Sequence, residues 1–107
     1  MIVVRQVFQA KYGHGDELVA LFKELFQELG QQPTSGFGRS RILTDLSGPF
    51  FTVVTETEVD SLATWERGFG EAMTRSGFAD WFSRMQAVVE SGSREFWSVQ
   101  ADTGEAG

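Results

Sequence analysis

The stretch Ile2–Leu29, IVVRQVFQAKYGHGDELVALFKELFQEL, changes its hydrophobic period once, and that change decides the fold. Over Ile2–Gln9 the period is two. Ile2, Val4 and Phe8 fall on one face and Val3 and Val7 on the other, with Gln6 and Arg5 interrupting one face each. After the glycine-rich turn Tyr12-Gly13-His14-Gly15 the period becomes helical, and Leu18, Leu21, Phe22, Leu25, Phe26 and Leu29 form one broad apolar stripe over Asp16–Leu29. Asp16 and Glu17 stand in the first turn, where carboxylates favour the positive end of the helix dipole. Gly30 stops the helix, and residues 31–36 make a polar loop around Pro33.

A strand followed by an amphipathic helix is half of a larger unit, and the remainder supplies the other half. Two strand-like runs, Arg39–Thr44 and Phe50–Glu58, flank Leu46-Ser47-Gly48-Pro49 and read as a hairpin, with Phe50 and Val54 opposite Phe51 and Val53. A helical region from Ser61 to Val89 follows, with Asp60 as its expected N-cap. Its stripe runs through Leu62, Trp65, Phe69, Ala72 and Met73 and breaks at Ser76-Gly77, where Ser76 is a second candidate cap. It resumes through Phe78, Trp81, Phe82, Met85, Val88 and Val89, until Ser91-Gly92 ends it. The last strand is Arg94–Val99. This β-α-β-β-α-β order predicts an α+β fold: a ferredoxin-like split βαβ sandwich, with a four-stranded antiparallel sheet and helices on one face.

One domain over residues 1–100 is expected, with 101–107 as a flexible tail. A sheet covered on one side should keep one wet face. Here both faces of the first and third strands are largely apolar, so a second copy of the chain is expected to cover the face without helices.

Composition removes several classes of function. Nine basic and fifteen acidic residues give a net charge of -6, and the basic ones are scattered singly, which argues against nucleic acid as a partner. No apolar run approaches a membrane span, and the N-terminus lacks the pattern of a signal peptide, so no membrane association and a cytoplasmic location are expected. There is no cysteine, hence no disulfide and no thiolate chemistry. The single histidine, His14, rules out a paired-histidine metal site within one chain, and no metal is expected. His14 reads as a turn residue facing solvent, with no nucleophile motif beside it. Glu56, Glu58 and Asp60 end the third strand at period two and read as a solvated strand end. Gly36-Phe37-Gly38 and Gly68-Phe69-Gly70 lack the third glycine and the strand-to-helix setting of a dinucleotide loop.

Ten Phe, three Trp and one Tyr are a heavy aromatic load for 107 residues. Most of these rings should pack as core, among them Phe22, Phe26, Phe69, Phe78 and Phe82. A small domain does not easily close over so many rings, and an aromatic cleft between sheet and helices is the expected ligand site. Its expected residues are Gln6, His14, Phe22, Trp65 and Phe69. No catalytic residue is assigned.

The order of elements, the Met-Ile-Val-Val start, the Gly-His-Gly-Asp-Glu-Leu opening of the first helix and the Trp65-bearing second helix resemble the dimeric α/β-barrel superfamily. The resemblance is to its antibiotic-biosynthesis-monooxygenase-like and NIPSNAP-like small proteins, and it runs to about Val99. It implies a homodimer whose sheets stack face to face into a barrel, with a small-molecule cleft between sheet and helices. Members include cofactor-free quinone-forming monooxygenases and heme-degrading monooxygenases. The heme-degrading branch carries an Asn on the first strand, a Trp on the second helix and a His beyond it. In this chain those positions hold Gln6, Trp65 and Arg75, and there is no asparagine anywhere. The resemblance therefore implies either a monooxygenase-like enzyme for an aromatic or polyketide-like molecule, with no cofactor, or a non-catalytic ligand-binding or structural homodimer. In the first case Gln6 would orient a substrate oxygen and Trp65 would form the apolar wall.

Overall fold

A computed structural model describes residues 1–31 and 35–104. Pro33 of the expected polar loop and the last three residues of the expected tail lie outside the described residues. The elements are β1 (Ile2–Ala10), α1 (Gly15–Gly30), β2 (Phe37–Thr44), β3 (Thr52–Val59), α2 (Leu62–Met73), α3 (Phe78–Val88) and β4 (Val89–Ser98). The sheet has the order β2-β3-β1-β4 and every pairing is antiparallel. This is the ferredoxin-like α+β fold, with the second helical segment split in two.

The even residues of β1 face the helices. Val4 and Ala10 are fully buried, and the Phe8 ring lies 5.0 Å from Phe22 of α1. Leu18, Leu21 and Phe22 sink the first half of α1 into a core completed by Val53, Trp81 and Val88. Trp81 joins the two helices: its Nε1 donates to the Leu21 carbonyl at 2.8 Å, and its ring is 5.6 Å from Phe22. On the outer side Arg84 of α3 donates to both carboxylate oxygens of Glu24 (2.7 and 3.2 Å) and holds that carboxyl below the usual range. A second core cluster joins Val4, Val59 and Trp65 to Ile2, Phe37 and Phe69.

Four local expectations change. The cap of α2 is Ser61, not Asp60: the Ser61 hydroxyl accepts the Thr64 N–H at 3.2 Å. Gly77 rather than Ser76 precedes α3. Phe50 and Phe51 belong to the turn before β3, not to the strand; Phe51 sits at φ +61°, and Phe50 is largely exposed. Finally, β4 begins at Val89, five residues before Arg94. Val89 already pairs with Ala10, and Gly92 lies opposite Phe8. A Cβ on Gly92 would meet the Phe8 ring at 2.9 Å, so this glycine serves strand packing rather than helix termination.

The apolar stripes are also narrower than expected, because Leu62, Met73 and Phe82 are exposed. The sheet face without helices is less apolar than expected too. It carries Val3, Val7, Val54, Leu43 and Trp97, crossed by a row Glu95–Arg5–Glu56–Arg41 of alternating charge. Arg41 reaches Glu56 at 2.7 Å, Arg5 reaches Glu56 and Glu95 at 3.4 and 3.6 Å, and Arg39 reaches Glu58 at 3.5 Å. Glu56 and Glu58 are thus ion-paired on the sheet rather than solvated at a strand end.

Candidate functional site

α1 packs on α3 rather than on α2, and the space left between α1 and α2 above the sheet is a cavity of about 420 Å³. Leu25, Phe26 and Leu29 in the second half of α1 form one wall, together with the core residue Phe22. Trp65, Phe69 and Ala72 of α2 form the opposite wall, with Arg75 and Phe78 closing the end where α2 turns into α3. The sheet supplies the floor and most of the polarity: Gln6, Ser40, Thr55 and Thr57. Aromatic walls with a few convergent polar groups are the usual composition of a small-molecule site.

Each wall has a local cause. In β2, Gly38 and Arg39 together stand opposite Glu58 alone, a bulge between the pairs Phe37–Val59 and Ser40–Thr57. Such an insertion re-aims side chains, and here it puts Phe37 on the helix face against Trp65, with ring centres 6.4 Å apart. The Phe37 ring presses on α2 at Gly68, where a Cβ would lie 2.5 Å from Phe37 Cζ. Trp65 and Phe69, one helical turn apart, stack at 5.2 Å with planes 19° apart. Arg94 of β4 lies over them, 4.7 Å from the Phe69 centre and 5.4 Å from Trp65. Its Nε donates to Gln6 Oε1 at 3.1 Å, across the Gln6–Arg94 pair of the β1–β4 ladder.

The two glycines of α2 therefore have opposite roles. Gly70 has open space where a Cβ would go, so Gly70→Ala should raise stability by about 0.5–1 kcal/mol through helix propensity alone. Gly68→Ala gains the same propensity but forces Phe37 out of place, and should lower stability by about 1–2 kcal/mol, within the usual cost of overpacking. Urea unfolding midpoints of the two variants should move in opposite directions.

Of the expected cleft residues, Gln6, Phe22, Trp65 and Phe69 line this one cavity. His14 does not. It stands at the N-cap of α1, with Nδ1 3.0 Å from Glu17 Oε1. The sequence reading did not assign Phe37, Thr55, Thr57, Phe78 or Arg94 to the site. Phe37 and Phe69 are the central residues of the two Gly-Phe-Gly tripeptides, so a glycine-flanked ring packed close to backbone was the available signal.

Among the described residues the wall holds no Asp, Glu or His, and so no ordinary general base. Nor does it hold a His, Cys, Met or Tyr that could ligate a heme iron; Arg75 stands there instead, and a guanidinium donates hydrogen bonds but offers no lone pair to a metal. Heme does not fit this set of residues. Among the described residues no three His, Cys, Asp or Glu side chains are grouped to hold a metal ion. No helix of the described residues is long and apolar enough to cross a membrane.

No family model matches the chain, and neither does any curated protein. Solved structures do match over nearly its whole length. A NIPSNAP domain protein from Burkholderia xenovorans superposes with a TM-score of 0.81 at 16% identity, covering 98% of this chain and 100% of its own. SnoaB, a cofactor-independent oxygenase from Streptomyces nogalater, gives 0.71 at 16% identity, with 97% of each chain covered. A Deinococcus radiodurans protein, assigned by name alone to the antibiotic biosynthesis monooxygenases, gives 0.72 at 16% identity over 100% of both chains. The chain thus has the fold shared by NIPSNAP domain proteins and antibiotic-biosynthesis-monooxygenase-like proteins.

Proposed function

We propose that this chain binds a flat aromatic or polyketide-like molecule in the sheet–helix cavity and acts on it as a monooxygenase-like enzyme without a bound cofactor. The observation that carries this reading is the cavity itself: about 420 Å³, walled by rings on α1 and α2, with the Gln6 carboxamide on its floor. Gln6 already spends its oxygen on Arg94, which leaves Nε2 to donate to a substrate oxygen. Trp65 and Phe69 offer a stacked face for a planar ring. The likeness to a cofactor-independent oxygenase supports the reaction class through the fold.

Dithranol, an anthrone whose oxidation to a quinone can be followed by absorbance and by oxygen uptake, tests the reading. The expected result is saturable oxidation above the spontaneous rate, reduced by Gln6→Ala. A second reading rests on the lack of a general base in the wall: the chain binds such molecules without turning them over. Saturable binding with no gain in oxidation rate would establish that reading in place of the first.

The same proposal includes a homodimer through the open sheet face. Trp97 is 57% exposed there, paired with Val3, and the same face carries Val7, Val54 and Leu43. The charges on this face alternate strand by strand, so an identical face turned about a twofold axis can meet them without like charges opposed. Light scattering at micromolar concentration should give twice the 11.9 kDa chain mass, and Val7→Arg, which places an unpaired charge at the centre of the face, should halve it. A wild-type mass near 11.9 kDa would rule the dimer out.

A further inference from the structure

We infer that the ligand of this cavity is an aromatic acid, a fused-ring carboxylate whose charge is read by Arg75 and Arg94. The inference rests on the proposed small-molecule role of the cavity and goes further by naming the ligand's charge. Among the described residues, Arg5, Arg39, Arg41 and Arg84 each lie within 4.0 Å of a carboxylate. Arg75 and Arg94 do not. Lys11, Lys23 and Arg67 are likewise without such a partner, but they neither line the cavity nor lie over its rings. In a chain of net charge -6, the described residues of the cavity wall include no carboxylate and do include the half-buried Arg75. The local charge at this site is opposite to that of the molecule.

The geometry of Arg94 points the same way. Its Nε is committed to Gln6, and its flat face rests on Phe69 and Trp65, which uses none of its N–H donors. Both terminal nitrogens are left without a hydrogen-bond partner among the described residues, on an exposed guanidinium whose Nε and flat face are engaged. A planar fork with two free donors matches a carboxylate bidentately. Arg94 lies on cavity-lining residues rather than in the wall, so the carboxylate would sit at the Trp65–Phe69 end with the rings of the ligand inside. Arg75 lines the cavity at the end where α2 gives way to α3, and it acts through its charge on the cavity rather than as a second ligand of the same carboxylate.

Calorimetric titration with a matched pair, naphthoate and naphthalenemethanol, tests this. Wild type should bind the acid at least about tenfold more tightly than the alcohol, as expected for a charge-assisted pair, and the preference should shrink as salt rises. Arg94→Gln and Arg75→Gln should each weaken naphthoate alone, and the double variant should bind acid and alcohol equally. Unchanged alcohol binding in the variants shows that they remain folded. Equal binding of the two ligands by wild type, or an acid preference that survives in the double variant, overturns the charge reading while the cavity's binding role stands. No binding of either ligand overturns both.

Discussion

Trp81→Ala is expected to lower the stability of the chain by roughly 3–5 kcal/mol, the range for truncating a large buried ring. Against a typical domain stability of about 5–15 kcal/mol, that is a large fraction of the total. The size follows from what Trp81 joins. Only 6% of it is exposed, its ring lies against Phe22 and Phe78, and its Nε1–H reaches across to the Leu21 carbonyl of α1. Truncation removes those contacts and opens a void between α1 and α3, neither of which can follow the missing ring. The Arg84–Glu24 pair cannot hold the helices together in its place, because exposed ion pairs contribute little. Trp81→Phe retains most of the ring contacts and loses the hydrogen bond, so it should cost about 1–2 kcal/mol. Chemical unfolding of the two variants gives the comparison, and a loss under 1 kcal/mol for alanine would mean that α3 is not anchored through this residue.

What the sequence showed of this molecule follows from how far apart the determining residues are. The strand–turn–helix of Ile2–Leu29 was legible because its signal is local: one change of period and one glycine turn. The order of the remaining elements was legible for the same reason. The start of β4 was not. Val88 and Val89 continue the helical spacing of α3, and only pairing of Val89 with Ala10, far away in the chain, makes it a strand. Ser61 and Asp60 are both good caps, and the choice depends on a backbone angle rather than on residue type.

The cavity was half legible on similar grounds. Phe22, Trp65 and Phe69 announce an apolar helix face by periodicity, and Gln6 interrupts an apolar strand face that looks the same way. Phe37 reaches the site through a bulge, and Arg94 reaches it through register with Gln6. Neither register nor bulge is written in a single strand. The charge on the open sheet face was under-read because Phe50 and Phe51 were counted as strand residues. With both rings in the turn, the Arg5–Glu56 pair stands in the middle of that face.

Trp65→Ala should cost less than Trp81→Ala, about 3 kcal/mol, although the two residues are almost equally buried at 8% and 6% exposed. Exposure alone does not separate them; what adjoins them does. Trp65 packs on Val4 and Val59, which makes part of it core, but its other side borders the cavity. Truncation there extends an existing space that water can enter, so fewer contacts are lost than when a closed core is opened. The larger effect should be on binding. Replacing Trp81 and Trp97 by Phe leaves Trp65 as the sole indole, and its emission should be quenched saturably by dithranol or naphthoate. Trp65→Ala in the otherwise native chain should weaken those ligands about tenfold or more, the scale of losing a stacked aromatic wall. The two measurements decide the residue's role together. A stability loss equal to that of Trp81→Ala, with emission indifferent to both ligands, would make Trp65 a core residue only. The proposed site would then lose its stacking wall, and the chain would be better described as a structural homodimer of the same fold.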